Sequence, residues 1–387
     1  MSYEVIARKY RPQIFADVVG QDHVIDTLKN AITNERVAHA YLFVGPRGTG
    51  KTSTARIFAK ALCAENGPII DFDQKKDSIV QEITAGNCMD VLEIDGASNN
   101  GVEQVRDLRE GVMFMPTRAR YKIYIIDEVH MLSTAAFNAL LKTLEEPPAH
   151  VKFFFATTEP MKVPSTILSR CQRFDLRRIS IRDIVGRLRD ICKSEKIKAD
   201  EEALLAIARG SEGGMRDAQS ALDQLISFQG KHITEKDVLS VFGLVASGVV
   251  EELAAAVLAG DVPRIIDLIA EVDQGGKDLY RLLIDILEHF RNLLILAYSN
   301  NTRNLANLAE SQIETLKEQV KGCDPDKVSR VVDILIEGEG RLRQALSKRT
   351  LLEMALIRAA RATQVVTIDD LVRRLNTLQE HLGEKKK

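Results

Sequence analysis

The apolar run Tyr41–Val44 leads directly into the octapeptide GPRGTGKT at residues 45–52. This octapeptide fits the pattern G-x-x-x-x-G-K-[ST], a glycine-rich loop that joins a strand to a helix. Glycines at 45, 48 and 50 let the backbone approach phosphate oxygens, so that backbone N–H groups and the helix N-terminus face negative charge. The stretch therefore predicts an α/β domain that binds a nucleoside triphosphate.

Two side chains of this loop have distinct predicted roles. Lys51 is expected to reach the β- and γ-phosphates, and the hydroxyl of Thr52 is expected to bind magnesium. The nucleotide-binding residues predicted here are Gly45, Pro46, Arg47, Gly48, Thr49, Gly50, Lys51, Thr52 and Ser53.

Short apolar runs alternate with amphipathic stretches up to residue 178. The runs lie at 41–44, 90–95, 122–127, 151–158 and 173–176, and most are nearly continuous in apolar residues, as buried parallel strands are. One intervening helix is predicted over 135–144, ahead of the breaker EPP at 146–148. Beyond residue 178 the strand signal disappears. The predicted domains are a parallel-sheet domain (1–179), a small helical domain (180–242), an all-helical domain (243–365) and a flexible tail (366–387).

Composition excludes several classes of protein. With 387 residues the chain is long enough for two or three domains. A net charge of −2 means that any contact with nucleic acid needs a local basic patch. No apolar run approaches the roughly 20 residues that span a bilayer, and the N-terminus has no signal core. The five cysteines are scattered, as in a cytoplasmic protein with reduced thiols.

A second apolar run, IYIIDEVH at 123–130, ends in two carboxylates. Asp127 is expected to help hold magnesium, and Glu128 to act as the base for an attacking water. An acidic turn at a strand end is the simpler alternative. Glu directly after Asp favours transfer of the phosphoryl group to water, so a small-molecule kinase is disfavoured.

Two arginines complete the predicted catalytic set. Arg170 falls between two predicted strands, away from any obvious acidic partner in sequence, and Arg216 opens a helix of the small helical domain. Either could form an ordinary surface salt bridge. A hydrolytic site, however, needs positive charge on the γ-phosphate in the transition state.

These pieces, in this order, resemble the AAA+ ATPases and, more narrowly, their clamp-loader branch, the bacterial DNA polymerase III gamma/tau subunits. The resemblance implies an α/β P-loop AAA+ nucleotide domain followed by a helical lid and an all-α oligomerisation (collar) domain. The matching segments are ARKYRP (7–12), FADVVGQ (15–21), GPRGTGKT (45–52), EIDGASNNG (93–101), DEVHML (127–132), FNALLKTLEEPP (137–148), ATT (156–158), SRC (169–171) and GMRD (214–217).

Site roles follow from this resemblance. Thr158 is expected to be the polar sensor that positions the attacking water, with Thr157 as the alternative. Arg216 would be the sensor in the lid, and Arg170 a finger offered in trans to the nucleotide of a neighbouring subunit. The adenine would be wrapped by residues of the segments 7–12 and 18–20, including Ala7, Pro12, Val18 and Val19.

One segment departs from the gamma/tau pattern. The family carries a four-cysteine zinc module after the first helix of the nucleotide domain, whereas residues 62–77 here contain only Cys63, and the next cysteine is Cys88. Two thiols cannot close a tetrahedral zinc site, and the oxygen donors Asp71, Asp73 and Asp77 suit structural zinc poorly. The insertion is therefore expected to remain and zinc to be absent.

The resemblance implies an ATPase that needs ATP and Mg²⁺ and that opens a sliding clamp and loads it on primed DNA. The implied partners are delta-type subunits and copies of the chain itself, and the implied location is the cytoplasm at the nucleoid. Basic residues at 115–122 and 106–109 are candidate DNA contacts, with a solvated charged surface as the alternative. Two other functions stay open: a nucleotide-binding scaffold with little turnover, and another AAA+ nucleic-acid ATPase, such as a replication-factor-C-like subunit.

Overall fold

The computed structural model describes residues 4–98, 110–230, 232–243, 245–299, 310–321 and 323–364. The chain divides into two compact units, residues 1–235 and residues 236–387. The predicted flexible tail and the basic residues 106–109 lie outside the described residues. Element numbers below count the described elements only.

The first unit is built on a parallel sheet of five strands, as the sequence predicts. The sheet order is β2-β3-β4-β1-β5. The predicted strands agree with the observed ones to within one residue at either end. The strands are β1 (Ala40–Val44), β2 (Val91–Asp95), β3 (Lys122–Asp127), β4 (Val151–Thr157) and β5 (Gln172–Asp175).

Every residue of the central strands β1 and β4 is buried, which explains their continuous apolar sequences. Successive side chains alternate between two cores. Tyr41 and Phe43 pack on one face with Phe58 of a flanking helix, while Leu42 packs on the other face with Phe137 of another. The sheet is therefore covered by helices on both faces.

Helices of the first unit follow most of the strands. The helix predicted over 135–144 is observed as Thr134–Glu145, and the hydroxyl of Ser133 caps it by accepting from Ala136 N at 3.2 Å. The helices are α1 (Ile6–Lys9), α2 (Asp22–Thr33), α3 (Lys51–Cys63), α4 (Ser78–Ala85), α5 (Thr134–Glu145), α6 (Ser165–Leu168), α7 (Ile181–Glu195), α8 (Glu201–Gly210) and α9 (Met215–Gln229).

The expectation of no strand beyond residue 178 is wrong in one detail. Two short strands, β6 (Lys198–Ala199) and β7 (His232–Ile233), pair in parallel near α7–α9. Each has two residues, too few for an alternating pattern to show in sequence.

The described part of the second unit is helical, as predicted. Its core contains Leu253, Leu283, Phe290, Leu335 and Leu356. None of the helices in the described ranges is long and apolar enough to cross a membrane. The helices are α10 (Glu235–Val241), α11 (Ser247–Ala259), α12 (Val262–Gln274), α13 (Leu279–Tyr298), α14 (Glu310–Val320), α15 (Pro325–Leu342) and α16 (Lys348–Gln364).

Helix α3 carries an unusual buried lysine. Lys60 is 2% exposed, and its Nζ donates to the side-chain oxygen of Gln13 at 2.5 Å. Burial lowers the pKa of Lys60 from 10.5 to about 8, and the neighbouring Arg56 adds to this shift. The folded chain therefore releases this proton at a lower pH than the unfolded chain does.

This proton release predicts a pH-dependent effect of Lys60→Met. Between pH 8 and 10.5 the unfolded wild type binds one more proton than the folded form, so its free energy of unfolding should rise with pH relative to Lys60→Met. Below that window the difference between the two proteins should be constant. Denaturant unfolding at several pH values measures this, with the exposed Lys193→Met as control. A difference that falls above pH 8 would contradict the assignment.

Candidate functional site

A cleft of ≈ 480 Å³ lies in the first unit, next to the phosphate loop and the carboxyl end of β3. Loops that follow the carboxyl ends of parallel strands are the usual ligand sites of such sheets. The cleft is lined by the phosphate loop, the N-terminal segment and helices α7 and α9. The lining residues include Ala7, Arg11, Pro12, Val18, Val19, Arg47, Gly48, Thr49, Gly50, Lys51, Thr52, Ser53, Asp127, Glu128, Arg187 and Arg216.

The phosphate loop wraps around its own lysine. Gly48 and Gly50 have φ of +76° and +100°, conformations that favour glycine. Lys51 is 6% exposed, and its Nζ donates to the carbonyls of Gly45 and Pro46, each at 3.0 Å. Gly45 and Pro46 therefore contact the lysine and do not line the cleft. Burial lowers the pKa of Lys51, while Glu128 and Asp127 oppose that shift.

Thr52 and Asp127, the predicted magnesium pair, lie in direct contact. Thr52 Oγ1 donates to Asp127 Oδ2 at 2.6 Å, and the other carboxylate oxygen accepts from the backbone N–H of Glu128 at 3.0 Å. A hydroxyl beside a carboxylate is the oxygen donor set that Mg²⁺ prefers. Two groups that are 75 positions apart in sequence thus form one possible metal site.

Glu128 has a left-handed backbone, with φ of +44°, immediately after β3. Its Oε2 accepts from Thr158 Oγ1 at 3.2 Å and lies 3.4 Å from His130 Nδ1. Thr157 is buried and its hydroxyl lies 3.0 Å from the same His130 nitrogen. Of the two threonines, Thr158 therefore contacts the carboxylate directly.

Helix α9 meets the phosphate loop through backbone atoms. The N–H of Arg216 lies 3.5 Å from the carbonyl of Gly48, and a Cβ on Gly48 would be 3.0 Å from the Cα of Gly214. The carboxylate of Asp217 lies beside the same contact, 3.1 Å from that added Cβ, so there is no room for a side chain at residue 48. The glycines of the GGMRD stretch thus allow α9 to contact the loop directly.

Six basic side chains line the cleft. Two of them are paired, since Arg8 lies 3.4 Å from Glu4 and Arg47 lies 3.7 Å from Asp217. The other four are Arg11, Lys51, Arg187 and Arg216. Within the described ranges none of these four forms an ion pair with a carboxylate. Unpaired cations in a partly buried cleft favour an anionic ligand. Arg11 was included in the sequence prediction only as part of the adenine-wrapping segment, and Arg187 carries no motif that could have revealed it.

Arg170 lies away from the cleft, after α6. Its guanidinium donates to Glu145 Oε1 and to the carbonyl of Thr166, each at 2.7 Å. The fold thus supplies an acidic partner that is not evident from the neighbouring sequence. Its side chain is 33% exposed and that of Glu145 is 51% exposed, and exposed pairs of this kind contribute about 0–1 kcal/mol. The pair is therefore easily exchanged for another anion.

The insertion between α3 and β2 is present and folds around α4. The Asp77 carboxylate accepts from the backbone N–H groups of Val80 at 3.0 Å and Glu65 at 2.8 Å. Cys63 is buried and donates to a backbone carbonyl at 3.4 Å, and burial raises the pKa of its thiol. No group of three or more His, Cys, Asp and Glu side chains in the described ranges is arranged to hold a metal ion.

Comparison with protein families matches three consecutive blocks of the chain. Residues 20–180 match the family described as DNA polymerase III, delta subunit. Residues 183–231 match the ATPase lid domain of DNA polymerase III clamp loader subunits, and residues 233–375 match domain III of DNA polymerase III subunits gamma and tau.

Full-length relatives agree with these matches. The chain is 41% identical to the DNA polymerase III subunit tau of Bacillus subtilis, over 100% of this chain and 69% of that protein. The chain belongs to the DNA polymerase III gamma/tau family of clamp-loader subunits. It is 38% identical to the gamma subunit of Buchnera aphidicola, covering 100% of it, and 40% identical to the tau subunit of Escherichia coli, covering 55% of it. The chain thus spans little more than half of some tau subunits.

Solved structures give more distant likenesses. The Holliday junction branch migration motor RuvB of Thermotoga maritima has a TM-score of 0.46 at 18% identity, over 64% of this chain and 79% of that one. The clamp loader delta protein of Bacillus subtilis has a TM-score of 0.36 at 12% identity, over 87% of this chain and 99% of that one. Membership in the gamma/tau family implies ATP and Mg²⁺ as cofactors.

The backbone contact between Gly48 and Gly214 predicts a specific effect of Gly48→Ala. Gly86→Ala is a matched control, since Gly86 has φ of +78° and nothing within 4 Å of an added Cβ. Both variants should lose about 1–2 kcal/mol of stability through the left-handed backbone. Only Gly48→Ala should also weaken ATP binding, by about tenfold or more, because its Cβ displaces α9 or the loop. Calorimetric titration measures this, and equal ATP affinity in the two variants would contradict it.

Proposed function

We propose that this chain is an ATPase subunit of the DNA polymerase III clamp loader, which uses ATP binding and hydrolysis to open a sliding clamp and load it on primed DNA. The main support is the contact of Thr52 with Asp127 beside Lys51 and Glu128, in a cleft whose lining also includes Arg11, Arg187 and Arg216. A hydrolytic phosphate site needs these groups: a magnesium pair, a phosphate-binding cation and a carboxylate base.

In this proposal each residue has one task. Lys51 leaves the two carbonyls that hold it and binds the β- and γ-phosphates. Thr52 and Asp127 hold Mg²⁺, which neutralises developing charge on the phosphates when bound. Glu128 orients the attacking water and accepts its proton, while the hydroxyl of Thr158 holds the Glu128 carboxylate in place.

Arg216 would link the nucleotide to the lid. It lies at the start of α9, and its backbone already meets the phosphate loop at Gly48. A guanidinium bound to the γ-phosphate makes the position of α9 depend on whether that phosphate is present. Hydrolysis would then release the lid.

Arg170 would act in trans, as the finger for the nucleotide of a neighbouring subunit. In the single chain its guanidinium is held by Glu145 in an exposed ion pair. A neighbour's γ-phosphate carries more negative charge than one carboxylate, so subunit assembly would draw Arg170 from Glu145. ATP hydrolysis would then depend on assembly.

The remaining assignments rest on the family. Residues 1–179 would form the nucleotide domain, 180–242 the lid and 243–365 the oligomerising collar. The partners would be delta-type subunits, further copies of this chain, the sliding clamp and primed DNA, which places the protein in the cytoplasm at the nucleoid. Basic residues at 115–122 remain candidate DNA contacts.

A nucleotide-binding scaffold with little turnover is the second candidate. Glu128 argues against it, because a subunit that only binds nucleotide needs no carboxylate base at the end of β3. Glu128→Gln separates the two candidates. This variant should bind ATP as wild type does but hydrolyse it at least about a hundredfold more slowly in the assembled complex. If wild type and Glu128→Gln turn over ATP equally slowly with clamp and primed DNA, the scaffold function is correct.

The role in trans predicts that Arg170→Ala lowers ATP hydrolysis by about a thousandfold in the complex with delta-type subunits, clamp and primed DNA. The isolated subunit should bind ATP with unchanged affinity, since Arg170 does not line its own cleft. Arg173→Ala is the matched control, because Arg173 is an exposed arginine paired with Asp175 on β5. Steady-state hydrolysis and calorimetric binding provide the two measurements. Full hydrolysis by Arg170→Ala would refute the role in trans.

A further inference from the structure

Arg11 lies where the N-terminal segment meets the phosphate loop. It lines the nucleotide cleft, and its Nε donates to the hydroxyl of Ser53 at 3.2 Å. Ser53 directly follows Thr52 in the first turn of α3. The side chain of Arg11 therefore joins the segment that precedes the sheet to the helix that begins at the phosphate loop.

The hydrogen-bonded side chains of Gln13 and Lys60, which form the Gln13–Lys60 bracket, hold this segment in place. Gln13 donates through Nε2 to the carbonyl of Arg11 at 3.2 Å and accepts from the buried Lys60 at 2.5 Å. The backbone N–H of Gln13 donates to Asp17 at 3.0 Å. Because Lys60 projects from α3 itself, the bracket fixes Arg11 relative to the same helix that carries Thr52 and Ser53.

The guanidinium of Arg11 forms no ion pair in the described ranges, and the charges of Glu93 and Asp127 only partly offset the effect of burial on its pKa. Burial lowers the pKa of its guanidinium, and the positive charge of Arg56 adds to this shift. The nearby Glu93 is occupied by Arg56, at 2.5 Å, and no carboxylate in the described ranges forms an ion pair with Arg11. A partly buried cation without an acidic partner is costly unless a ligand supplies the negative charge.

The order of groups along the loop indicates which negatively charged group of the ligand lies next to Arg11. Lys51 serves the β- and γ-phosphates and Thr52 the magnesium, so the next position, Ser53, lies towards the α-phosphate. The segment 7–12 that carries Arg11 also lines the end of the cleft expected to hold the adenine. Arg11 thus stands between the base and the triphosphate tail.

We propose that Arg11 binds the α-phosphate of the nucleotide through its Nη atoms, held in position by the Gln13–Lys60 bracket. This assignment rests on the proposed nucleotide function and extends it. Since ATP and ADP share the α-phosphate, Arg11 binds both alike. It retains the nucleotide through hydrolysis, whereas Lys51, Arg170 and Arg216 respond to the γ-phosphate.

Calorimetric titration of the full chain with ATP, ADP and the two diastereomers of ATPαS, in the presence of magnesium, tests this proposal. Arg11→Ala should lower the affinities for ATP and for ADP by the same factor, between about tenfold and about a hundredfold. Arg11→Lys should restore part of the lost affinity. At least one ATPαS diastereomer should bind less tightly than ATP to wild type but not to Arg11→Ala. Arg173→Ala, which removes an exposed cation outside the cleft that is paired with Asp175, should change the affinity by less than about threefold.

Each other result overturns the proposal. Contact with the α-phosphate would be excluded by any of three results. Arg11→Ala binds ATP and ADP as tightly as wild type does, it loses affinity for ATP but not for ADP, or it still binds the ATPαS diastereomer less tightly than ATP. A penalty for 2′-deoxy-ATP that disappears in Arg11→Ala, in place of the ATPαS effect, would assign Arg11 to the ribose. If Arg11→Ala has a lower melting temperature than wild type in the absence of nucleotide, the same titrations are carried out with Arg11→Lys and Arg11→Gln in its place. If the wild type itself fails to bind ATP, the proposed function fails as well, whereas tight binding by wild type and Arg11→Ala alike refutes only this assignment.

Discussion

The hydrogen bond from Thr52 to Asp127 is the contact on which the site depends, because it joins the first turn of α3 to the end of β3. In the sheet, β4 lies between β1 and β3, so the phosphate loop after β1 must reach across the end of β4 to meet Asp127. That crossing places Thr158, which follows β4, against Glu128, which follows β3. The order of three strands thus brings Asp127, Glu128 and Thr158 together, and only a parallel sheet presents all their carboxyl ends at one edge.

The strands of the sheet and the motifs at their ends could be predicted from sequence. Strands such as β1 and β4 are buried on both faces, so their sequences are continuously apolar and their ends are sharp. The loop motif then follows β1, and the carboxylate pair lies at the carboxyl end of β3. The two-residue strands β6 and β7 were missed because no periodicity can appear over two positions.

Contacts between distant segments could not be predicted in the same way. Glu145 lies 25 positions from Arg170, and its acidic neighbour Glu146 is an equally plausible partner in sequence. Arg187 looks like any other polar residue of an amphipathic helix, and only the packing of α7 places it on the cleft. The Gln13–Lys60 pair is similar, because a lysine in a helix usually indicates a solvent-exposed position. Residue chemistry thus predicted the kinds of groups in the site, but the tertiary fold decides their partners.

The approach of Gly48 to Gly214 has a mechanical consequence. Where side chains separate two elements, rotamer changes absorb small displacements, but here the backbone N–H of Arg216 meets the carbonyl of Gly48 directly, with the Asp217 carboxylate beside the contact. A tilt of the segment that begins at Gly214 therefore displaces the loop around Lys51, and a displacement of the loop in turn moves that segment. A direct contact of this kind couples the position of the helix to that of the phosphate loop more tightly than a contact through long side chains would.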